Sequence, residues 1–122
     1  ILDGKAPRLF KGSDQILRDF INIEDVVQAN IKACSPKQSG VYNVGTGSPR
    51  SFQDIADILQ KGLEANLGTE YFPNPYEGYQ MHTQADIKAT EDCLGFEPKV
   101  TLEEGIKTYI PEIRRLHGEP LS

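Results

Sequence analysis

An α/β fold is predicted for this 122-residue chain, and three features predict it. The apolar pattern changes from extended runs to helical period at Glu24. A short apolar run, Val41 to Val44, leads through Gly45-Thr46-Gly47 into a second helical pattern. Thr101-Leu102-Glu103-Glu104 then has capping-box spacing ahead of a third. At this length one compact domain, or one piece of a domain, is expected.

Taken in order, Arg8 to Phe10 is a short extended segment between two turn-forming stretches, Gly4-Lys5-Ala6-Pro7 and Lys11-Gly12-Ser13-Asp14. Arg18 to Ile23, with Phe20, Ile21 and Ile23, favours extended backbone and reads as a second strand. From Glu24 to Cys34 the spacing of Val27, Ile31 and Cys34 is helical, and Ser35-Pro36 stops that helix. Val41 to Val44 reads as a parallel strand, of the kind buried on both faces in an α/β sheet. With its neighbours absent, such a strand should leave apolar surface and an unpaired edge, and the chain should self-associate.

Ser51 opens the next helix, whose apolar positions are Phe52, Ile55, Ala56, Leu59 and Leu63. Its hydroxyl can cap free N–H groups, and Asp54 complements the helix dipole. Thr69 to Phe72 is a further extended candidate, followed by the loop Pro73-Asn74-Pro75-Tyr76-Glu77-Gly78-Tyr79. Asp86 is expected to cap a short helix through Leu94, ended by a left-handed Gly95. The last helix has the stripe Ile106, Tyr109, Ile110, Ile113 and Leu116, with a kink expected at Pro111 and fraying from Gly118 to Ser122.

The net charge is −5, and the 13 Lys and Arg residues are scattered, so the basic stripe that nucleic acid requires is absent. No apolar run approaches the length of a membrane span, and Ile1-Leu2-Asp3-Gly4-Lys5 lacks a signal peptide's apolar stretch. A soluble cytoplasmic protein without a membrane partner is the expectation. Cys34 and Cys93 lack C-x-x-C spacing and read as buried reduced thiols. The chain begins at Ile1 and its sole methionine is Met81, so it reads as a portion of a longer chain.

Little in the sequence carries chemistry by itself. His82 and His117 have no neighbouring ligand at metal spacing, and the pairs Glu24-Asp25 and Glu103-Glu104 fall in first helical turns, where they complement the dipole. Gly45-Thr46-Gly47 is a weak phosphate-loop signal. Position 50 is Arg50, so the full G-x-G-x-x-G pattern is missing, and a tight turn explains the glycines. Arg18, soon after the Gly12-Ser13 turn, can present a planar donor fork to a phosphate, or it can pair with Asp19 or Asp14.

Arg18-Asp19-Phe20-Ile21-Asn22-Ile23-Glu24-Asp25-Val26-Val27, then Tyr42-Asn43-Val44-Gly45-Thr46-Gly47, then a Ser-capped helix, closely resemble the second half of extended short-chain dehydrogenases/reductases that act on nucleotide sugars. Leu9-Phe10-Lys11-Gly12-Ser13 and Tyr79-Gln80-Met81-His82-Thr83-Gln84-Ala85-Asp86 resemble the ADP-heptose epimerases within that family. The similarity runs from about Pro7 to about Ile113.

This resemblance implies that residues 1–122 are the carboxy-terminal substrate-binding part of a protein with a Rossmann-type sheet. The cofactor-binding part would be missing, with about 24–65 packing on it. It implies an NADP-dependent epimerisation at C6 of an ADP-heptose, by hydride removal and return, for lipopolysaccharide core synthesis, in an enzyme expected to be a homo-oligomer. It further implies that Phe10, Lys11, Gly12, Ser13 and Arg18 contact the ADP-sugar phosphates, that Tyr79 touches the substrate, and that Arg18 is a diphosphate clamp. The family pattern places an arginine before the loop tyrosine, where this chain has Gly78.

The family's Tyr-x-x-x-Lys pair is absent, since the residues four after Tyr42, Tyr71, Tyr76, Tyr79 and Tyr109 are Thr46, Pro75, Gln80, Thr83 and Ile113. The chain alone is therefore expected to be inactive and to have neither a catalytic residue nor a cofactor site of its own. The alternatives are another nucleotide-sugar epimerase or dehydratase of the same superfamily, or a non-catalytic sugar-nucleotide binding module.

Overall fold

The structure is a computed structural model and describes residues 1–118. Its elements are β1 (Arg8–Phe10), β2 (Leu17–Arg18), α1 (Ile23–Lys32), β3 (Arg50–Ser51), α2 (Phe52–Gly62), β4 (Glu70–Phe72), α3 (Lys88–Leu94) and α4 (Leu102–His117). Two small two-stranded sheets form. β1 pairs with β4 in parallel, Leu9 opposite Tyr71, and β2 pairs with β3 antiparallel, Arg18 opposite Arg50. The α/β class holds, in a form with very little strand.

Two of the helices, α2 and α4, begin at reciprocal side-chain caps. Ser51 Oγ accepts from Asp54 N at 3.0 Å while the Asp54 carboxylate accepts from Ser51 N, and Thr101 and Glu104 repeat this exchange at α4. Such reciprocal caps satisfy donors that the helix itself leaves orphaned. Gly95 ends α3 at φ 67°, as its sequence position implied. The buried Gln60 side chain bonds Leu67 N and Gly68 O, fixing the chain as it leaves α2. α2 packs on α4 with Gly62 against Ile110, where a Cβ would meet Ile110 Cδ1 at 3.0 Å. The core contains Ile16, Ala29, Ala56, Phe96 and Ile110.

Several expectations need correction. The strand expected over Arg18 to Ile23 ends at Arg18, because α1 starts at Ile23 behind an Asn22 cap whose Oδ1 accepts from Glu24 N. Val41 to Val44 forms no strand: no described segment pairs with it, and Val41 is 99% exposed. The strand entering α2 is instead Arg50–Ser51. Asp86 does not cap α3 directly; Ile87 is the cap, and Asp86 Oδ1 accepts from Lys88 N in the turn before it. Cys34 is exposed rather than buried, although both cysteines are free thiols as expected, and Pro111 lies inside α4 where the sequence put it. The fraying expected at the end falls largely on residues 119–122, outside the described residues.

The paired acids of α1 also do more than complement a dipole. Asp25 is buried, and its two oxygens accept from Lys99 N and Val100 N, both at 3.1 Å. This fastens α1 to the segment that leads into α4. A buried carboxylate that accepts backbone N–H bonds keeps its charge satisfied and those donors paired.

Candidate functional site

The turn after β1 positions the first group of candidate residues. Ser13 N donates to Phe10 O at 3.1 Å, Gln15 N donates to Gly12 O at 2.8 Å, and Gly12 takes φ 80°, a conformation open to glycine without strain. The turn leaves Lys11 exposed and Ser13 only 1% exposed. Ser13 Oγ is buried and has no hydrogen-bond partner among the described residues. A buried hydroxyl in that state is costly unless something else meets it.

Phe10, Ser13 and Tyr79 line one cleft of about 150 Å³ together with Arg8, Phe52 and Phe72. Its aromatic rings meet edge to face, Phe10 at 5.0 Å from Phe72 and 5.5 Å from Tyr79, with Tyr76 stacked 6.3 Å from Tyr79. Lys11 and Gly12 sit on the turn but do not line the cleft. The Arg18 guanidinium lies over two of the lining rings, 5.3 Å from the centroid of Tyr79 and 5.7 Å from that of Phe52. It donates to Leu17 O at 2.9 Å and makes no ion pair among the described residues. The pairing of Arg18 with Asp14 or Asp19 is thus not made, and the planar fork keeps capacity for an anion.

Asp19 is engaged elsewhere. Its Oδ1 accepts from Thr46 N at 2.8 Å and Thr46 Oγ1 at 2.5 Å, and its Oδ2 accepts from Gly47 N at 2.9 Å and Ala85 N at 3.0 Å. Burial alone would push this carboxyl up, but the Thr46 hydroxyl and the N–H groups of Ala85, Thr46 and Gly47 outweigh it and hold it below the ordinary range. The glycine turn is therefore a cradle for a carboxylate of the same chain. A Cβ on Gly45 would stand 2.6 Å from Ala85 Cβ and 2.7 Å from Asp19 Oδ2, which explains the first glycine by close approach. Sequence reasoning missed this role of Asp19, although an N–H-rich Gly-Thr-Gly turn is a signal for some anion.

A larger cavity of about 460 Å³ lies between the start of α1, α2 and α4, lined by Phe20, Ile23, Leu59, Ile106, Tyr109 and Ile113 among others. It has no Lys or Arg in its lining and so does not suit a phosphate. Among the described residues no cluster of potential metal ligands exists, and no helix is long and apolar enough to cross a membrane. His117 Nε2 lies 2.8 Å from Asp3 Oδ1, a surface contact.

The fold and cleft point to a class: the chain is similar to a segment of the extended short-chain dehydrogenase/reductase epimerases that act on nucleotide sugars. Within that class it is similar to ADP-L-glycero-D-manno-heptose-6-epimerase of Brachyspira hyodysenteriae, 37% identical over 119 residues covering 94% of the chain and 37% of the relative. The crystal structure of Helicobacter pylori ADP-L-glycero-D-manno-heptose-6-epimerase matches with a TM-score of 0.79 and 44% identity over 89% of this chain and 33% of that one. UDP-glucose 4-epimerase of Thermotoga maritima, solved with UDP-glucose, matches with a TM-score of 0.84 and 30% identity over 95% of this chain and 37% of that one. MoeE5, solved with UDP-glucuronic acid and NAD, matches with a TM-score of 0.80 and 31% identity over 94% of this chain and 38% of that one. No family model matches the chain. The chain thus spans little more than a third of the length of these relatives.

Proposed function

We propose that the chain is the carboxy-terminal, substrate-binding part of an epimerase that inverts C6 of ADP-glycero-manno-heptose. The cleft beside Phe10, Ser13 and Tyr79 receives the nucleotide, and Arg18 receives the diphosphate. The observation that carries this reading is the half-buried Arg18 guanidinium, held on aromatic faces and given no carboxylate partner among the described residues. An anionic ligand would meet the guanidinium's unused donors. Lys11 adds an exposed cation on the same turn, and Gly12 keeps that turn's backbone open.

Inversion at C6 requires a hydride to leave and return, which a nicotinamide cofactor supplies; NADP is the proposed one. This chain's residues do not fit that cofactor. The N–H groups of Thr46 and Gly47 are spent on Asp19, and no tyrosine is followed at four residues by lysine. The cofactor and the acid/base residues therefore belong to an amino-terminal Rossmann domain of the parent. Residues 24–65 are proposed to pack on that domain, since α1 leaves Ile23 70%, Val27 47% and Ile31 58% exposed and Val41 is also bare. The parent would act as a cytoplasmic homo-oligomer in lipopolysaccharide core synthesis.

A second reading, a UDP-sugar 4-epimerase, is favoured by the likeness to the Thermotoga maritima enzyme. Binding separates the two. The product of the complete reading frame should bind ADP-heptose more tightly than UDP-glucose and epimerise it with NADP, whereas the 122-residue chain alone should show no turnover. Tighter binding of UDP-glucose would replace the first reading by the second.

A further inference from the structure

Three segments distant in sequence meet at Asp19. Residues 17–19 run beside 81–85: Leu17 N donates to Met81 O at 2.8 Å, Thr83 N donates to Leu17 O at 3.0 Å, and Asp19 N lies 3.4 Å from Thr83 Oγ1. The ladder then ends, and the Asp19 carboxylate continues it by accepting from Ala85 N while also gripping Thr46 and Gly47. The segment tied down in this way follows directly on Tyr79, whose ring lies against the Arg18 guanidinium, and residue 18 is covalently next to the grip. Between Thr83 and α3 this tie is the hydrogen bond that reaches the strand bearing Arg18 among the described residues; the Gln84 side chain bonds Gly47 O and Asn43 Nδ2 bonds Asp86 O, both in the segment before α2.

We infer that Asp19 is a positioning residue for nucleoside-diphosphate binding: its carboxylate clasps the glycine turn and the 79–85 segment so that Arg18 and Tyr79 are held as one anion-receiving pair. The inference rests on the reading that Arg18 receives the diphosphate. Asp19 itself touches no ligand, because its oxygens are already shared among Thr46, Gly47 and Ala85. Asp19→Asn keeps the shape but turns an NH₂ toward N–H donors, so at least one side of the clasp opens. The cost to binding arises because Arg18 must then be ordered at the moment of association.

A double-mutant cycle tests this on the product of the complete reading frame, with ADP as the probe in calorimetric titrations. Asp19→Asn should weaken ADP binding by about tenfold, and in an Arg18→Ala background the same substitution should change it by less than about twofold. Thr46→Val, which removes the hydroxyl that reaches Asp19 Oδ1, should act in the same direction more weakly, and it carries the cycle if Asp19→Asn fails to fold. A loss of equal size in both backgrounds would mean that Asp19 only supports the fold, and no loss with Arg18 intact would mean that it positions nothing; either overturns the inference. If Arg18→Ala alone leaves ADP affinity unchanged, the diphosphate reading itself fails, an outcome distinguished by that arm alone.

Discussion

Two regions of the molecule treat their backbone polar groups and apolar side chains in opposite ways. Around Asp19, the N–H groups of Thr46, Gly47 and Ala85 converge on one carboxylate, and Gly45 is pressed so close that a methyl group would not fit. A few residues earlier in the chain, Val41 stands in solvent, and α1 turns Ile23 and Ile31 outward. The first region is complete within the chain. The second has the apolar character of an interior yet faces outward, as the proposed packing on a cofactor domain would require. The difference separates a region that satisfies itself from the one proposed to dock.

The comparison can be broken most severely at the ties. Replacing Asp25 by alanine leaves the Lys99 and Val100 N–H groups without their buried acceptor, and a loss of about 2–4 kcal/mol is expected in denaturant unfolding. A loss below about 1 kcal/mol would show that water replaces the carboxylate without penalty. Gly45→Ala forces a methyl into Ala85 and Asp19 and should cost about 1–3 kcal/mol, where the same change at solvent-facing Gly68 acts only through its left-handed backbone.

A smaller effect is expected from acid. The Asp19 carboxyl is held below its ordinary range, so its contribution is present above the unfolded-state value and disappears as pH falls through the lower folded-state value. Wild type should therefore lose stability on acidification beyond the ordinary carboxylate range, and Asp19→Asn should lack that portion of the pH dependence. At Val41, replacement by serine should alter the stability of this chain by less than about 0.5 kcal/mol. In the parent, if the residue is covered by the cofactor domain, the same change should cost about 1–3 kcal/mol. Equal effects in both would remove Val41 from the docking face.

Much of this was legible in the sequence. Ser51 with Asp54 and Thr101 with Glu104 are local devices, and local devices read directly from residue order. Phe10, Ser13 and Tyr79 come together in one cleft, although the sequence grouped them only through a family resemblance. The extended reading of Val41 to Val44 failed because β-favourable residues describe a strand's side chains and not its partner; β4 has β1 in the chain, and Val41 has no neighbour to pair with. The role of Asp19 was hidden for the same reason. Its donors lie 27 and 66 residues away, a distance at which no spacing rule operates.

Arg18 is the group proposed to receive the diphosphate, and titration of ADP-heptose and NADP separately into wild type, Arg18→Ala and Arg18→Lys tests that role most directly. Loss of a charge-assisted interaction of about 1.5–3 kcal/mol should weaken ADP-heptose binding by roughly ten- to 150-fold in Arg18→Ala. NADP affinity should stay nearly constant, and lysine should recover only part of the loss because an ammonium cannot reproduce the planar fork. Unchanged ADP-heptose affinity in Arg18→Ala would contradict that role.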